Sequence, residues 1–276
     1  MKKIKFLLIL LILSSCSNLR YLDAFDGFKN SPKEIKLTTF RVKYIDSMPH
    51  EEISTIDIYY YDTKGRKIKN LEFDSNGLPI FGGANYSYDR YGNQIQYIFY
   101  NNDGTIDVQY NYKYNKFGQL IEKEHISESE KSITKYEIDR ENKLRKMISR
   151  NNDGSISEKS LLKYDEKWRD SVLIFYDLSG KMKSKIETSY DKNGNEILSK
   201  WFNSENKPYE ISEKKYDLNN NRTQVKKFQI LSGEKKLISY TEFEYKYDQY
   251  GNSIEQKLIF DGKTSWIIRG EFKYVW

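Results

Sequence analysis

The sequence has few of the residues that form cross-links or carry out acid–base chemistry: one cysteine and two histidines among 276 residues. Since the cysteine is Cys16, no intramolecular disulfide can form, and packing alone must stabilise the fold. The histidines, His50 and His125, stand in no metal-ligand spacing and near no GxSxG or HExxH pattern. We predict that both are solvated loop residues. The sequence therefore predicts a protein that is not an enzyme, with no catalytic residue, no metal site and no cofactor.

The sequence also lacks an apolar run long enough to span a bilayer, because the run from Phe6 to Leu13 is too short. Lysines precede this run and small residues follow it, an order typical of a secretory signal peptide. The residues that end it, LSSC (13–16), resemble the lipobox of bacterial lipoproteins. The resemblance implies that Cys16 is lipidated and becomes the first residue of the mature chain. The alternative is an ordinary signal peptide in which Cys16 is incidental.

The lipobox resemblance implies a signal peptide at 1–15 and a lipidated cysteine followed by a tether at 16–32. We predict that residues 33–276 form a single β-repeat domain, for the reasons given below. The lipobox resemblance places the protein in the bacterial cell envelope, at the outer membrane if the cell is Gram-negative. Loss of residues 1–15 lowers the formal net charge from +6 to +3, because three lysines and no acids are removed. A nearly balanced charge predicts no nucleic-acid partner. The expected partners of this monomer are the membrane, through the lipid anchor, and a glycan or another envelope protein.

A four-residue unit that begins with Asp or Asn recurs about every 26 residues. Its first residues are Asp62, Asp89, Asn115, Asp139, Asp165, Asp191, Asp217 and Asp248. Its fourth residue is glycine in five copies: Gly65, Gly92, Gly118, Gly194 and Gly251. Asp at the first position of a type I turn accepts a backbone hydrogen bond, and Gly at the fourth adopts the positive φ that closes a hairpin. We predict structural turns in preference to calcium sites, because one acid a turn supplies too few oxygen ligands.

Weaker copies of the unit lie between the strong ones, and successive turns are mostly 12 or 14 residues apart. Even steps keep one face of every strand pointing the same way. If each turn has four residues, Tyr86 lies opposite Ile95 and Phe99 lies opposite Ile106. The pattern predicts an all-β fold, a long antiparallel meander of hairpin repeats with roughly sixteen to eighteen strands. Such a sheet is too wide to stay open, and we expect it to curl or roll with its aromatic face inside.

The Tyr-Asp-x-x-Gly-Asn units, such as residues 88–93 and 247–252, resemble the YD repeats of Rhs-type and toxin-complex proteins. The resemblance extends from about residue 53 to the end of the sequence and implies strands that spiral into a hollow shell. The repeat here is longer than the usual spacing of that family, and eight copies are too few to enclose a toxin.

Aromatic residues are the remaining candidates for a site: Tyr97, Tyr110, Tyr112, Trp201 and Trp266. Tyrosine joins an apolar ring to a hydroxyl that can stay hydrated, so a trough of such rings would stack sugars or accept a peptide strand. The alternative is that the rings form the core of the rolled sheet. The sequence predicts an envelope lipoprotein with a non-catalytic binding or scaffolding role. The alternatives are a glycan- or peptide-binding adhesin-like protein, a self-associating structural element and, last, an envelope hydrolase.

Overall fold

A computed structural model of the chain describes residues 24–274. Apart from one 3-10 turn at Ala24–Gly27, every regular element in that range is a strand, in keeping with the abundance of tyrosine and phenylalanine. The strands are β1 (Pro32–Ile45), β2 (Met48–Tyr61), β3 (Lys67–Asp74), β4 (Gly83–Tyr88), β5 (Gln94–Tyr100), β6 (Ile106–Tyr114), β7 (Leu120–Ser127), β8 (Lys131–Asp139), β9 (Leu144–Asn151), β10 (Ile156–Tyr164), β11 (Asp170–Tyr176), β12 (Met182–Tyr190), β13 (Glu196–Phe202), β14 (Pro208–Tyr216), β15 (Arg222–Leu231), β16 (Glu234–Tyr247), β17 (Ser253–Phe260) and β18 (Lys263–Tyr274).

The sheet closes on itself. Each strand pairs antiparallel with the next one along the chain, and β1 also pairs with β18, where Thr38 lies opposite Arg269. The predicted antiparallel meander is confirmed, and its rolling is complete. Eighteen strands about 4.8 Å apart and tilted by about 40° correspond to a circular barrel about 36 Å across. Between residues 24 and 274, no helix has the length and apolar character needed to cross a bilayer.

The two kinds of turn lie at opposite ends of the barrel. The strong turn units connect even-numbered strands to odd-numbered ones, so all of them lie at one end, together with the start of β1 and the end of β18. We call this the first end; its loops are 62–66, 89–93, 115–119, 140–143, 165–169, 191–195, 217–221 and 248–252. The loops that connect odd-numbered strands to even-numbered ones form the second end.

A typical turn consists of five residues and is followed by a bulge. The Asp89 amide donates to the carbonyl of Asn93 (2.9 Å), and the Gly92 amide donates to the carbonyl of Asp89 (3.1 Å). Gly92 has a φ of 90°, which glycine adopts without a steric penalty. The geometry is that of a type I turn closed by a left-handed residue, after which the register shifts by one residue.

These bulges change the predicted pairing. Tyr86 lies opposite Tyr97, so the prediction that it faces Ile95 is wrong. Phe99 lies opposite Val108, so its predicted pairing with Ile106 is also wrong. In these two hairpins the fifth turn residue and the bulge add two residues to one arm, and an even shift leaves the predicted faces intact.

One face of the closed sheet is the more buried. It carries most of the aromatic strand residues, and we call it the tyrosine face; its members include Tyr59, Tyr86, Tyr97, Tyr110, Tyr112, Tyr136, Trp201, Tyr245, Trp266 and Phe272. Its buried residues are Ile35, Tyr61, Ala84, Ser160, Leu162, Tyr164, Ser199, Ser212, Thr241 and Phe243. The opposite, charged face buries Thr38, Val42, Glu255 and Ile267. Since most rings remain half-buried, the described chain resembles a wide hollow barrel more than a solid sandwich.

The segment 24–31 packs on the tyrosine face at the first end. The backbone amide of Lys29 donates to Oδ1 of Asn252 (2.6 Å), and Nδ2 of Asn252 donates back to the Lys29 carbonyl (3.2 Å). The hydroxyl of Tyr61 donates to Oδ2 of Asp26 (2.7 Å). Because Asn252 follows β16 and Tyr61 ends β2, the segment reaches across β18 and β1. Part of the stretch that the sequence assigns to a tether is therefore docked on the barrel.

Candidate functional site

The carboxylates of the repeated turns are used inside the turns. Oδ1 of Asp191 accepts the amides of Asn193 (2.9 Å) and Asn195 (2.8 Å), and Oδ2 accepts the side-chain amide of Asn195 (3.0 Å). The side-chain hydrogen bond from Asn195, followed by those backbone amides, holds the pKa of Asp191 below its ordinary value. In the turns that begin at Asp62 and Asp165, the residue four positions later is an arginine, and its Nε donates to Oδ2 of the aspartate as Asn195 does to Asp191. Nothing in residues 24–274 groups three or more His, Cys, Asp or Glu side chains as a metal ion requires.

Several tyrosines that precede a first-end turn, and Tyr274 at the end of β18, reach back to the preceding turn at that end. The tyrosines that donate to a backbone carbonyl beyond that turn are Tyr88 (to Lys67, 2.7 Å), Tyr114 (to Gln94, 2.8 Å), Tyr190 (to Asp170, 2.8 Å) and Tyr216 (to Glu196, 2.9 Å). Tyr247 and Tyr274 instead donate to the carboxylates of Asp217 (3.3 Å) and Asp248 (2.9 Å). These tyrosines therefore tie one repeat to the repeat before it.

Rings on β4 to β7 form a continuous cluster, which we call the aromatic strip: Tyr86, Tyr97, Tyr110, Tyr112 and His125. The ring centroids of Tyr97 lie 4.9 Å from Tyr86 and 5.9 Å from Tyr110. Tyr110 lies 6.5 Å from Tyr112 and 5.0 Å from His125. Tyr86, Tyr97, Tyr110 and His125 stand opposite one another across four strands, so the barrel wall itself sets their spacing.

Three tyrosines of the aromatic strip, Tyr97, Tyr110 and Tyr112, are neutral at physiological pH. Burial raises the pKa of the Tyr97, Tyr110 and Tyr112 hydroxyls above their ordinary value, so each stays protonated and able to donate a hydrogen bond. Nζ of Lys123 lies 4.3 Å from the centre of the Tyr110 ring, and burial lowers its pKa. The strip thus offers ring faces, hydroxyl donors and one cation within four strands.

The structure brings three of the five sequence-predicted residues together. Tyr97, Tyr110 and Tyr112 belong to the aromatic strip, whereas Trp201 on β13 and Trp266 on β18 share the tyrosine face at separate places. The lipidation site, Cys16, lies outside the described residues.

Sequence patterns missed three members or neighbours of the aromatic strip: Tyr86, Lys123 and His125. The prediction that both histidines lie in loops is wrong, because His125 lies on β7 beside Tyr110 and His50 lies on β2 opposite Lys43. Because the residues around His125 are polar, β7 was not predicted there. The alternation of faces that identifies Tyr110 nevertheless extends to His125 on the neighbouring strand.

Two carboxylates also meet on the tyrosine face. Asp57 on β2 lies directly opposite Glu72 on β3. Burial raises the pKa of both groups, and for Glu72 the nearby Asp57 charge raises it further. Like charges directly opposite each other destabilise a sheet, so this pair lowers the local stability of the β2–β3 pairing.

No protein-family model and no curated protein matches the chain. Among solved structures, a porin-like protein from Bacteroides vulgatus is 11% identical, with a TM-score of 0.40, over 89% of this chain and 100% of that one. The N-terminal domain of the effector SpvB from Salmonella typhimurium is 12% identical, with a TM-score of 0.27, over 88% and 87%. A TcdB2–TccC3–Cdc42 structure is 12% identical, with a TM-score of 0.29, over 83% of this chain and 15% of that one. Likenesses of this size carry no statement about function.

Proposed function

We propose that the protein is an envelope lipoprotein, anchored through Cys16, that binds a ligand without catalysis on its barrel wall. The observation that carries the binding role is the aromatic strip, in which each of five rings on β4 to β7 has its centroid 4.9 to 6.5 Å from that of a neighbouring ring. The anchoring is supported by the lipobox-like residues 13–16. Repeats that build one continuous wall suit a binding or scaffolding role better than a single catalytic cleft.

A glycan is the ligand class that the aromatic strip fits best. Sugar rings offer C–H faces that pack on tyrosine rings, and their hydroxyls pair with protonated tyrosine hydroxyls. A peptide commonly binds a sheet by adding a strand to a free edge. The described strands form a closed ring, since β1 pairs with both β2 and β18, so they offer no such edge. A peptide would have to bind through side chains alone.

The binding role is tested on an array of bacterial envelope polysaccharides, with the wild type beside Tyr110→Ala and Tyr245→Ala. Tyr245 belongs to the tyrosine face on β16, outside the aromatic strip, and serves as the matched control. We expect the wild type and Tyr245→Ala to bind a common set of glycans that Tyr110→Ala fails to bind. Equal binding by all three proteins contradicts the assignment of the aromatic strip. Mass spectrometry of the mature chain tests acylation of Cys16 separately.

A second candidate, an envelope hydrolase, is favoured by one observation: the in-register pair Asp57 and Glu72, both with raised pKa. Paired carboxylates with different protonation serve acid–base chemistry in glycoside hydrolysis. This candidate would be favoured over simple binding if the wild type hydrolyses a glycan of the array and both Asp57→Asn and Glu72→Gln fail to do so.

A further inference from the structure

The two ends of the barrel differ in charge. The first-end loops contain nine basic and eight acidic residues, a net charge of +1, whereas the second-end loops contain two basic and eight acidic residues, a net charge of −6. Six of the first-end acids are leading residues of turn units, and each carboxylate accepts amides of its own turn. Six of the nine first-end cations occupy the tips of the turns.

Six first-end turns place an exposed lysine or arginine at the tip: Lys64, Arg90, Lys116, Arg140, Lys167 and Lys192. Exposed rings stand among them. Phe117 is 57% exposed, with the charged groups of Lys116 and Arg140 5.1 and 5.7 Å from its ring centre. Tyr91 is 67% exposed beside Arg90. Apolar side chains are exposed at the second end too, so it is the charge that distinguishes the two ends.

The anchor joins the barrel at this same end. Residues 24–31 are held at the first end by Asn252 and Tyr61. Cys16 precedes Ala24 by eight residues, a stretch that reaches at most about 27 Å when fully extended. A lipid on Cys16 therefore keeps the first end near the bilayer, within a distance over which charge attraction operates at low salt.

We propose that the first end of the barrel faces the membrane and that its turn tips bind anionic phospholipid headgroups. The position of the anchor in this inference rests on the proposed function, whereas the charge difference does not. Lysine and arginine near an anionic surface are attracted cumulatively. Tyrosine rings favour the headgroup region, and phenylalanine rings insert at the boundary between headgroups and acyl chains. The second end, with its net charge of −6, points away from the membrane.

The orientation is tested on the acylated protein in phospholipid vesicles with one reporter at either end. Thr63→Cys labels an exposed first-end tip, and Ser204→Cys labels the matching position at the second end. Lipidation blocks Cys16, so a thiol-reactive fluorophore attaches only at the new site. Headgroup-bound nitroxide quenches the fluorophore, in vesicles with and without phosphatidylglycerol.

We expect the label at position 63 to be quenched several-fold more than the label at position 204 in anionic vesicles. The difference should shrink in neutral vesicles, in about 1 M salt, where the screening length is about 3 Å, and in the Arg90→Gln/Lys116→Gln/Lys192→Gln variant. The inference is overturned if the two positions are quenched equally. It is also overturned if quenching at position 63 does not change with lipid charge or salt concentration. A Cys16 that is free to react with the fluorophore contradicts the proposed anchoring instead.

Discussion

The hydroxyl of Tyr216 donates a 2.9 Å hydrogen bond to the backbone carbonyl of Glu196, which lies just beyond the turn of the preceding repeat. Tyr216 precedes its own turn at Asp217, and Glu196 follows the turn that begins at Asp191. The tyrosine of one unit thus fixes the position of the unit before it. The same relation holds for Tyr88, Tyr114 and Tyr190, so the recurring Tyr-Asp pair builds the first end of the barrel.

Tyr216→Phe should lower the free energy of unfolding by about 1 kcal/mol, because the carbonyl of Glu196 loses a part-buried donor. Chemical denaturation followed by circular dichroism measures the change. Tyr209→Phe is the matched control, since the Tyr209 ring is exposed, and it should leave stability unchanged. Equal effects of the two substitutions would show that the ties between repeats add nothing to stability.

At turn positions with positive φ, replacing glycine should lower stability and introducing glycine should raise it. Gly194 has a φ of 96°, and a methyl group added there would meet only open space, so Gly194→Ala should destabilise by about 1 kcal/mol through backbone strain alone. Lys143 has a φ of 51°, and Lys143→Gly should stabilise by a similar amount, less the small loss of its exposed ion pair with Glu166. Thermal melting of both variants is the measurement. Changes of the same sign would contradict the assigned turn geometry.

Asp170 should make the barrel less stable at neutral pH. It is 9% exposed, its Oδ1 has no hydrogen-bond partner within residues 24–274, and burial raises its pKa to about 6. Because this value exceeds the pKa of about 3.9 in an unfolded chain, the penalty is full above pH 6 and vanishes below about pH 4. Asp170→Asn should therefore stabilise by an amount on the order of 2 kcal/mol at pH 7.5 and by little at pH 4.

Urea unfolding at the two pH values measures the effect of Asp170→Asn. Asp191 is the comparison, because its depressed pKa gives stability that is present above the unfolded pKa and is lost as pH falls through the folded one. Asp191→Asn should bring no gain at pH 7.5. A gain for Asp170→Asn that persists at pH 4 would mean that burial of its charge is not the cause.

Much of the fold follows from local chemistry that the sequence displays. Asp89 and Gly92 identify a turn, and the even steps between turns keep Tyr97 and Tyr110 on one face. The pairing of Tyr86 was predicted wrongly because a bulge leaves no residue-type signal of its own. Barrel closure depends on the pairing of β1 with β18, in which Thr38 lies opposite Arg269. Because these residues are so far apart along the chain, no local sequence pattern predicts their contact.

The candidate site was less predictable than the fold. Tyr110 and Tyr112 were identified by alternation, but the contact between Tyr110 and His125 depends on register across two strands. The hydrogen bond from the side chain of Asn195 to Asp191 was also not predicted. Asn195 comes four residues after the acid, so its position in the sequence suggested the next strand instead of the turn. Such contacts are set by exact strand alignment, which composition and spacing do not specify.

We propose that the turn units build the barrel whereas the aromatic strip binds the ligand. The most direct measurement is calorimetric titration of a glycan selected on the array into two variants, Asp89→Ala and Tyr97→Ala/Tyr110→Ala. Asp89→Ala should lower the melting temperature, because two backbone amides lose their acceptor, and should bind with wild-type affinity while folded. Tyr97→Ala/Tyr110→Ala should stay folded and lose binding. Wild-type affinity in the double tyrosine variant, or lost affinity in a folded Asp89→Ala protein, would contradict the account.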